Sequence, residues 1–205
     1  MSDASTGRLD EGVEALGLAL TAAARARLLA FLALLQKWNR AYNLTAVRDP
    51  ETMVTRHLLD ALSILPWIEG PGVLDVGSGA GIPGLVVAMA RPDIAVTSVD
   101  SNGKKIRFQR QAMFELGIDN ATAVHGRIEQ FKGEGFDQIV SRAFAAPGDF
   151  VALTRHLLAP GGHWLAMMGR MEEASVPEGV RILETRALRV PGEQGQRHLM
   201  KLETA

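Results

Sequence analysis

The chain has 205 residues, a net charge of −1 at neutral pH and no cysteine. That length allows one or two domains with a sizeable core, and the missing cysteine excludes a disulfide scaffold, cysteine-ligated zinc or iron–sulfur and any thiolate nucleophile. A charge near zero gives no global attraction to nucleic acid, so contact with RNA would have to rest on local cations.

In chain order, the polar and acidic start MSDASTGRLDEGVE carries no leader pattern, and no later run approaches the roughly 20 apolar residues of a membrane span. A cytoplasmic protein without a membrane partner is the expectation. Residues from about 9 to 68 read as helical. Behind a Thr21 cap, Ala22 to Ala41 repeats apolar residues (Leu28, Leu29, Phe31, Leu32, Leu35, Trp38) on a 3.6-residue period. Asp49-Pro50-Glu51 has the cap, proline and acid of a helix start. The helix that it opens turns Met53, Val54, Leu58, Leu59, Leu62 and Leu65 inward, and ends before Pro66.

The stretch VLDVGSGAGIPG, Val73 to Gly84, is a short buried strand, a glycine turn and the start of a helix. Glycine suits such a turn because a side chain would block a ligand's approach and because φ is often positive there. A second strand, Ile94 to Val99, ends on Asp100, an acid placed to accept hydrogen bonds from ribose hydroxyls. A literal GxGxxG begins at Gly79. Counted from Gly77, the first glycine off the strand, the pattern is GxGxG, with Ile82 where a third glycine would stand. Asp75 before the turn would repel a pyrophosphate, whereas the cationic S-adenosylmethionine suits it. Asp75, Gly77, Gly79, Gly81 and Asp100 are therefore expected to form a methyl-donor site.

Strands and helices then alternate: helix Gly84–Ala90, helix Gly103–Leu116, strand Ala121–His125, strand Phe136–Ser141 and helix Pro147–Leu158. Pro160-Gly161-Gly162 reads as a turn into strand His163–Met168. Strands Arg181–Val190 and Arg197–Leu202 have no crossover helix between them, so the last strand should pair antiparallel. A seven-stranded, mostly parallel sheet with one antiparallel strand is the α/β, class I (Rossmann-like) methyltransferase architecture. Two units are expected: an N-terminal helical extension, residues 1–70, and an S-adenosylmethionine-binding core, residues 71–205.

Five stretches, KWNRAYNLT from Lys37, RHLLD from Arg56, DVGSGAGIPG from Asp75, SRAF from Ser141 and RHL from Arg197, resemble the bacterial 16S rRNA guanine-N7 methyltransferase family (RsmG, also called GidB). The likeness runs over nearly the whole chain. GxGxG is common among methyltransferases, but WNxxYNLT, RHxLD and SRAF in this order are specific. The resemblance implies S-adenosylmethionine as cofactor and 16S rRNA, within the small ribosomal subunit or a precursor, as partner, with neither DNA nor a metal. It also implies donor-binding roles for Gly77, Ile82, Ile128, Glu129 and Arg142. Where the family usually closes a strand with lysine this chain has Met168, and Arg170 is the nearest cation.

The chemistry agrees. Guanine N7 has an exposed lone pair and no proton, so its methylation requires alignment but no general base. After the fourth strand, amino-methylating enzymes carry an Asn/Asp-Pro-Pro-aromatic tetrad; here Ser141-Arg142-Ala143-Phe144 stands instead. Arg142 and Phe144 are candidates for positioning the reactants, and Glu129 or Asp60 could favour the cationic product. Each has a plainer reading: Arg142 as partner of a nearby carboxylate, Phe144 as core, His57, Trp38 and Tyr42 as packing residues. Lys104, Arg107 and Arg110 form a basic helix edge that either meets RNA phosphate or is merely solvated. Arg170, Arg197 and His198 are further RNA candidates. The competing functions are a donor-dependent binding or regulatory protein and a small-molecule methyltransferase.

Overall fold

The computed structural model describes residues 2–133, 135–142, 146–169 and 176–205. Its first helix, α1 (Asp3–Ala15), opens on a Ser2 side-chain cap, well before the expected start near residue 9. Asp3 in its first turn is favoured there by the helix dipole. Thr21 caps α2 (Ala22–Tyr42), and Asn43 ends it in the left-handed region at φ 50°. Asp49 caps α3 (Pro50–Met53) through its bond to the Thr52 N–H.

The single helix expected from there is interrupted. Val54–Leu59 form a π-helical turn and α4 is only Asp60–Leu62. Apolar periodicity cannot show one inserted residue, yet the insertion changes which side chains face inward. His57 is buried, while the Arg56 side chain is 52% exposed.

The sheet comprises β1 (Gly72–Val76), β2 (Ala95–Asp100), β3 (Ala121–His125), β4 (Phe136–Arg142), β5 (Leu158–Met168), β6 (Val180–Ala187) and β7 (His198–Thr204). Their order is β3-β2-β1-β4-β5-β7-β6, with β7 antiparallel to both neighbours. Three helices complete the layers: α5 (Gly84–Ala90), α6 (Gly103–Leu116) and α7 (Pro147–Thr154). Helix α7 stops short of the expected Leu158, giving way to a tight turn at Arg155–Leu157. Pro160-Gly161-Gly162 lies inside β5 and is not a turn into it. The β4 pairing jumps from Phe136–Leu158 to Gln138–His163, so these residues form a bulge.

Alternation along the strands gives each face its own core. Val73, Val96, Val140 and Leu165 meet α2, α5, α6 and the π turn; Leu74, Val76, Ile139 and Trp164 meet α7. The N-terminal helices are thus one layer of the molecule. Phe31 and Trp38 of α2 both contact Phe108 of α6, with ring centroids 5.7 and 5.8 Å apart. The strand order reverses between β1 and its neighbours β2 and β4, which opens a crevice at the carboxyl ends of these strands.

Candidate active site

The glycine turn sits at that crevice. The N–H groups of Gly77 and Ser78 donate to the Val99 carbonyl, 3.0 and 3.2 Å away, which folds the turn over β2. Gly77, Gly79 and Gly81 all have positive φ. Their surroundings differ. A Cβ on Gly81 would meet Leu85 of α5 at 2.7 Å, so the turn packs tightly on that helix, and one on Gly84 would meet Asp75 Oδ2 at 2.7 Å, so Gly84 serves close helix–strand approach. At Gly79 the nearest atom would be 3.9 Å away, which leaves room above the turn.

Asp75 lies beneath the turn, 1% exposed, with Oδ2 accepting the Gly84 N–H at 2.8 Å and Oδ1 without a partner. Burial pushes its pKa up to about 7, against the opposing pull of the Gly84 bond and the Arg142 charge. Asp100 accepts the Gly79 N–H at 2.8 Å through Oδ2 and the Asn102 N–H at 2.7 Å through Oδ1. It therefore joins the turn to the start of α6. A cavity of about 130 Å³ is lined by Gly77, Asp100, Ile128 and Glu129, among others. Open space at Gly79, an acid at the lip and the Ile128 wall fit a ribose and a flat apolar base.

A second cavity, about 330 Å³, opens over the neighbouring strand ends β4, β5 and β7. Its floor is an ionic network. Asp60, 4% exposed, accepts Arg142 Nη1 on Oδ2 and Arg197 Nε on Oδ1, both at 3.2 Å. Arg197 Nη2 and Arg56 Nε also donate to Glu193 Oε2, each at 3.1 Å. The Gly195 N–H, then Arg197 and Arg56, hold the Glu193 carboxyl below its usual range. The π turn contributes directly. The Asp60 N–H reaches back to Thr55 O, not to Arg56 O, and the Arg56 carbonyl accepts Arg142 Nη1 at 2.9 Å.

His57 lies behind this floor, with Nε2 3.0 Å from Thr45 Oγ1 and Nδ1 buried without a partner. Burial and the Arg142 charge push its pKa down to about 4. Asn39 fixes Thr45 through both backbone groups, at 2.9 and 3.0 Å. The stretch KWNRAYNLT thus positions a histidine.

The structure therefore brings Gly77, Asp100, Ile128 and Glu129 around one cavity, and Arg142, Arg197 and His198 around the other. Ile82 is buried at the foot of the turn. Lys104 and Arg107 are exposed on α6 and line neither of these cavities. Arg110 is tied to the β3 backbone, with Nε and Nη2 donating to the Ala123 carbonyl at 3.1 and 3.0 Å. His198 Nδ1 is 3.1 Å from the Gly169 carbonyl. Phe144 and Arg170 lie outside the described residues. Sequence reasoning passed over Gln109 and Glu193. Gln109 is fully buried and donates Nε2 to Ser78 Oγ and Gly79 O, both at 2.8 Å, so α6 holds the turn in shape. A polar residue between Phe108 and Ala112 on an apolar helix face was the available signal.

A switch-point crevice with a glycine turn, an acid closing the second strand and an antiparallel last strand defines an S-adenosylmethionine-dependent methyltransferase of the class I fold. A solved S-adenosylmethionine-dependent methyltransferase from Aquifex aeolicus shares this fold, with a TM-score of 0.56 at 16% identity, over 75% of this chain and 93% of that one. The family model for rRNA small subunit methyltransferase G matches residues 24–200. The ribosomal RNA small subunit methyltransferase G of Chromohalobacter salexigens is 59% identical over 208 residues, covering 100% of both chains. That of Methylobacillus flagellatus is 52% identical over 95% of this chain and 96% of its own. The chain belongs to the rRNA small subunit methyltransferase G family.

Proposed function

We propose that this protein methylates N7 of a guanosine in 16S rRNA, acting in the cytoplasm on the small ribosomal subunit or a precursor. The observation that carries the choice of atom is the state of the groups around the second cavity. Asp60 accepts two guanidinium donors, and arginine does not take up protons at neutral pH. His57, with its pKa near 4, stays neutral and is a weak base. Asp60 can hold a base in place, and neither it nor His57 behind the floor is suited to strip a proton from that base. N7 needs only to be held, because its lone pair is free.

When bound, S-adenosylmethionine supplies an electrophilic methyl on a sulfonium. Asp100 has lone pairs left for ribose hydroxyls, and the backbone at Ile128 and Glu129 borders the adenine. The buried Asp75 braces the turn through its bond to the Gly84 N–H, beneath the donor's amino-acid end. Gly79 keeps the turn open, and Ile82 closes its base. Arg142 holds the end of β4 against the π turn, which fixes the spacing between the two cavities. Lys104, Arg107, Arg197 and His198 face RNA.

The single-turnover rate should stay flat from about pH 6 to 9 at saturating donor and RNA, because no side chain gains or loses a proton in the step. A sigmoid near 6.5 that vanishes on His57→Gln or His198→Gln would mean a general base. An amine or hydroxyl acceptor would then replace N7.

A further inference from the structure

Within the second cavity, Met167, Met168 and Leu188 present apolar walls, and Asp60 is the carboxylate among the described lining residues. A slot of about 330 Å³ is large enough for one small ligand. Its chemistry is that of a flat heterocycle set against apolar side chains, thioethers among them, with one polar edge against a carboxylate. Asp60 is fixed by Arg142 and Arg197, which line the same cavity beside it, and an ionised carboxylate has about four lone-pair sites, so two remain. The two guanidinium groups also balance its charge. Its use to a base is therefore as a rigid pair of acceptors and not as an unscreened anion.

We infer that Asp60 is the specificity-determining residue of the acceptor site and reads the N1–H and N2–H₂ donors of guanine side by side. Guanine is the nucleobase that pairs these two donors on one edge. Adenine offers an acceptor at N1 and would face Asp60 with a lone pair against a lone pair. A guanine gripped by that edge directs N7 away from the carboxylate, toward the rest of the strand-end crevice. This assignment rests on the guanine-N7 reading above and adds what rejects adenine.

The ligand series carries the test, since Asp60→Asn leaves two arginines without their carboxylate and could unfold the chain. Methyl signals of Met167 and Met168, labelled with ¹³C and assigned with Met167→Leu and Met168→Leu, report occupancy without turnover. The full-length protein, saturated with S-adenosylhomocysteine, is titrated with guanosine, inosine, 1-methylguanosine and adenosine 5′-monophosphates. Guanosine monophosphate should shift both signals saturably. Inosine monophosphate, lacking N2, should bind about tenfold more weakly, the loss expected for one charge-assisted hydrogen bond. The 1-methylguanosine and adenosine forms should give no saturable shift, whereas 7-methylguanosine monophosphate, with its donor edge intact, should still bind. In a folded Asp60→Asn variant the preference for guanosine over inosine should fall to within about twofold. Equal binding of guanosine, inosine and 1-methylguanosine forms, or no response of Met167 and Met168 to guanosine monophosphate up to its solubility limit, overturns the assignment. Labelled 7-methylguanosine found in 16S rRNA alongside such a result would leave the N7 reading standing and remove Asp60 alone.

Discussion

Asp75 and His57 are buried ionisable groups on the same side of the sheet as Arg142, and their protons pull stability in opposite directions. Folded Asp75 keeps a proton that the unfolded chain releases near its ordinary value of 3.8. Its contribution is thus fully present below about pH 4 and lost as pH rises to about 7. Folded His57 refuses a proton that the unfolded chain accepts near 6.5, so its contribution is present above about 6.5 and lost as pH falls toward 4. The two windows overlap and largely cancel. Urea unfolding across that range should therefore show opposite slopes in the single variants. Asp75→Asn should lose stability toward acid and His57→Gln should lose it toward neutrality, each by on the order of 2–4 kcal/mol. Slopes that match wild type in both variants would mean that neither group is buried as described.

At the scale of elements, α6 holds the glycine turn through Gln109, with bonds to Ser78 and Gly79. Gln109→Met keeps the volume but leaves the Gly79 carbonyl without this donor. S-adenosylmethionine affinity measured by calorimetry should fall roughly tenfold, for a cost of about 1–3 kcal/mol, with the fold retained. Unchanged affinity would show that the turn needs no such brace. This helix was legible end to end, because Asn102 caps it and Gly117 ends it in the left-handed region, both local signals. The β5 bulge was not, since Pro160-Gly161-Gly162 reads as a turn unless the β4 partner is known. The π turn was hidden because one inserted residue leaves the apolar pattern readable as a single helix. Of the site, the glycine turn and Asp100 could be read directly, as they lie close in sequence. The Asp60 network could not: Arg142 and Arg197 reach it from 82 and 137 residues away. The chain pattern could offer only an unnamed carboxylate partner for Arg142.

For the whole molecule, a net charge of −1 makes RNA binding a matter of where the cations stand. Lys104 and Arg107 are exposed, whereas the Arg110 guanidinium is already spent on the Ala123 carbonyl. Lys104→Gln and Arg107→Gln should each lower the salt slope of small-subunit binding by about one, and Arg110→Gln should lower it less. Equal effects at all three positions would show that Arg110 leaves β3 to meet phosphate. In the proposed reaction the crevice carries a methyl to N7 of a guanosine in 16S rRNA. The most direct test is to incubate the protein with small ribosomal subunits and S-adenosylmethionine bearing a deuterated methyl, then identify the labelled nucleoside by mass spectrometry. The account predicts label in 7-methylguanosine from 16S rRNA and in no other nucleoside. Label in an amine- or ribose-methylated nucleoside, or none in RNA, would contradict it.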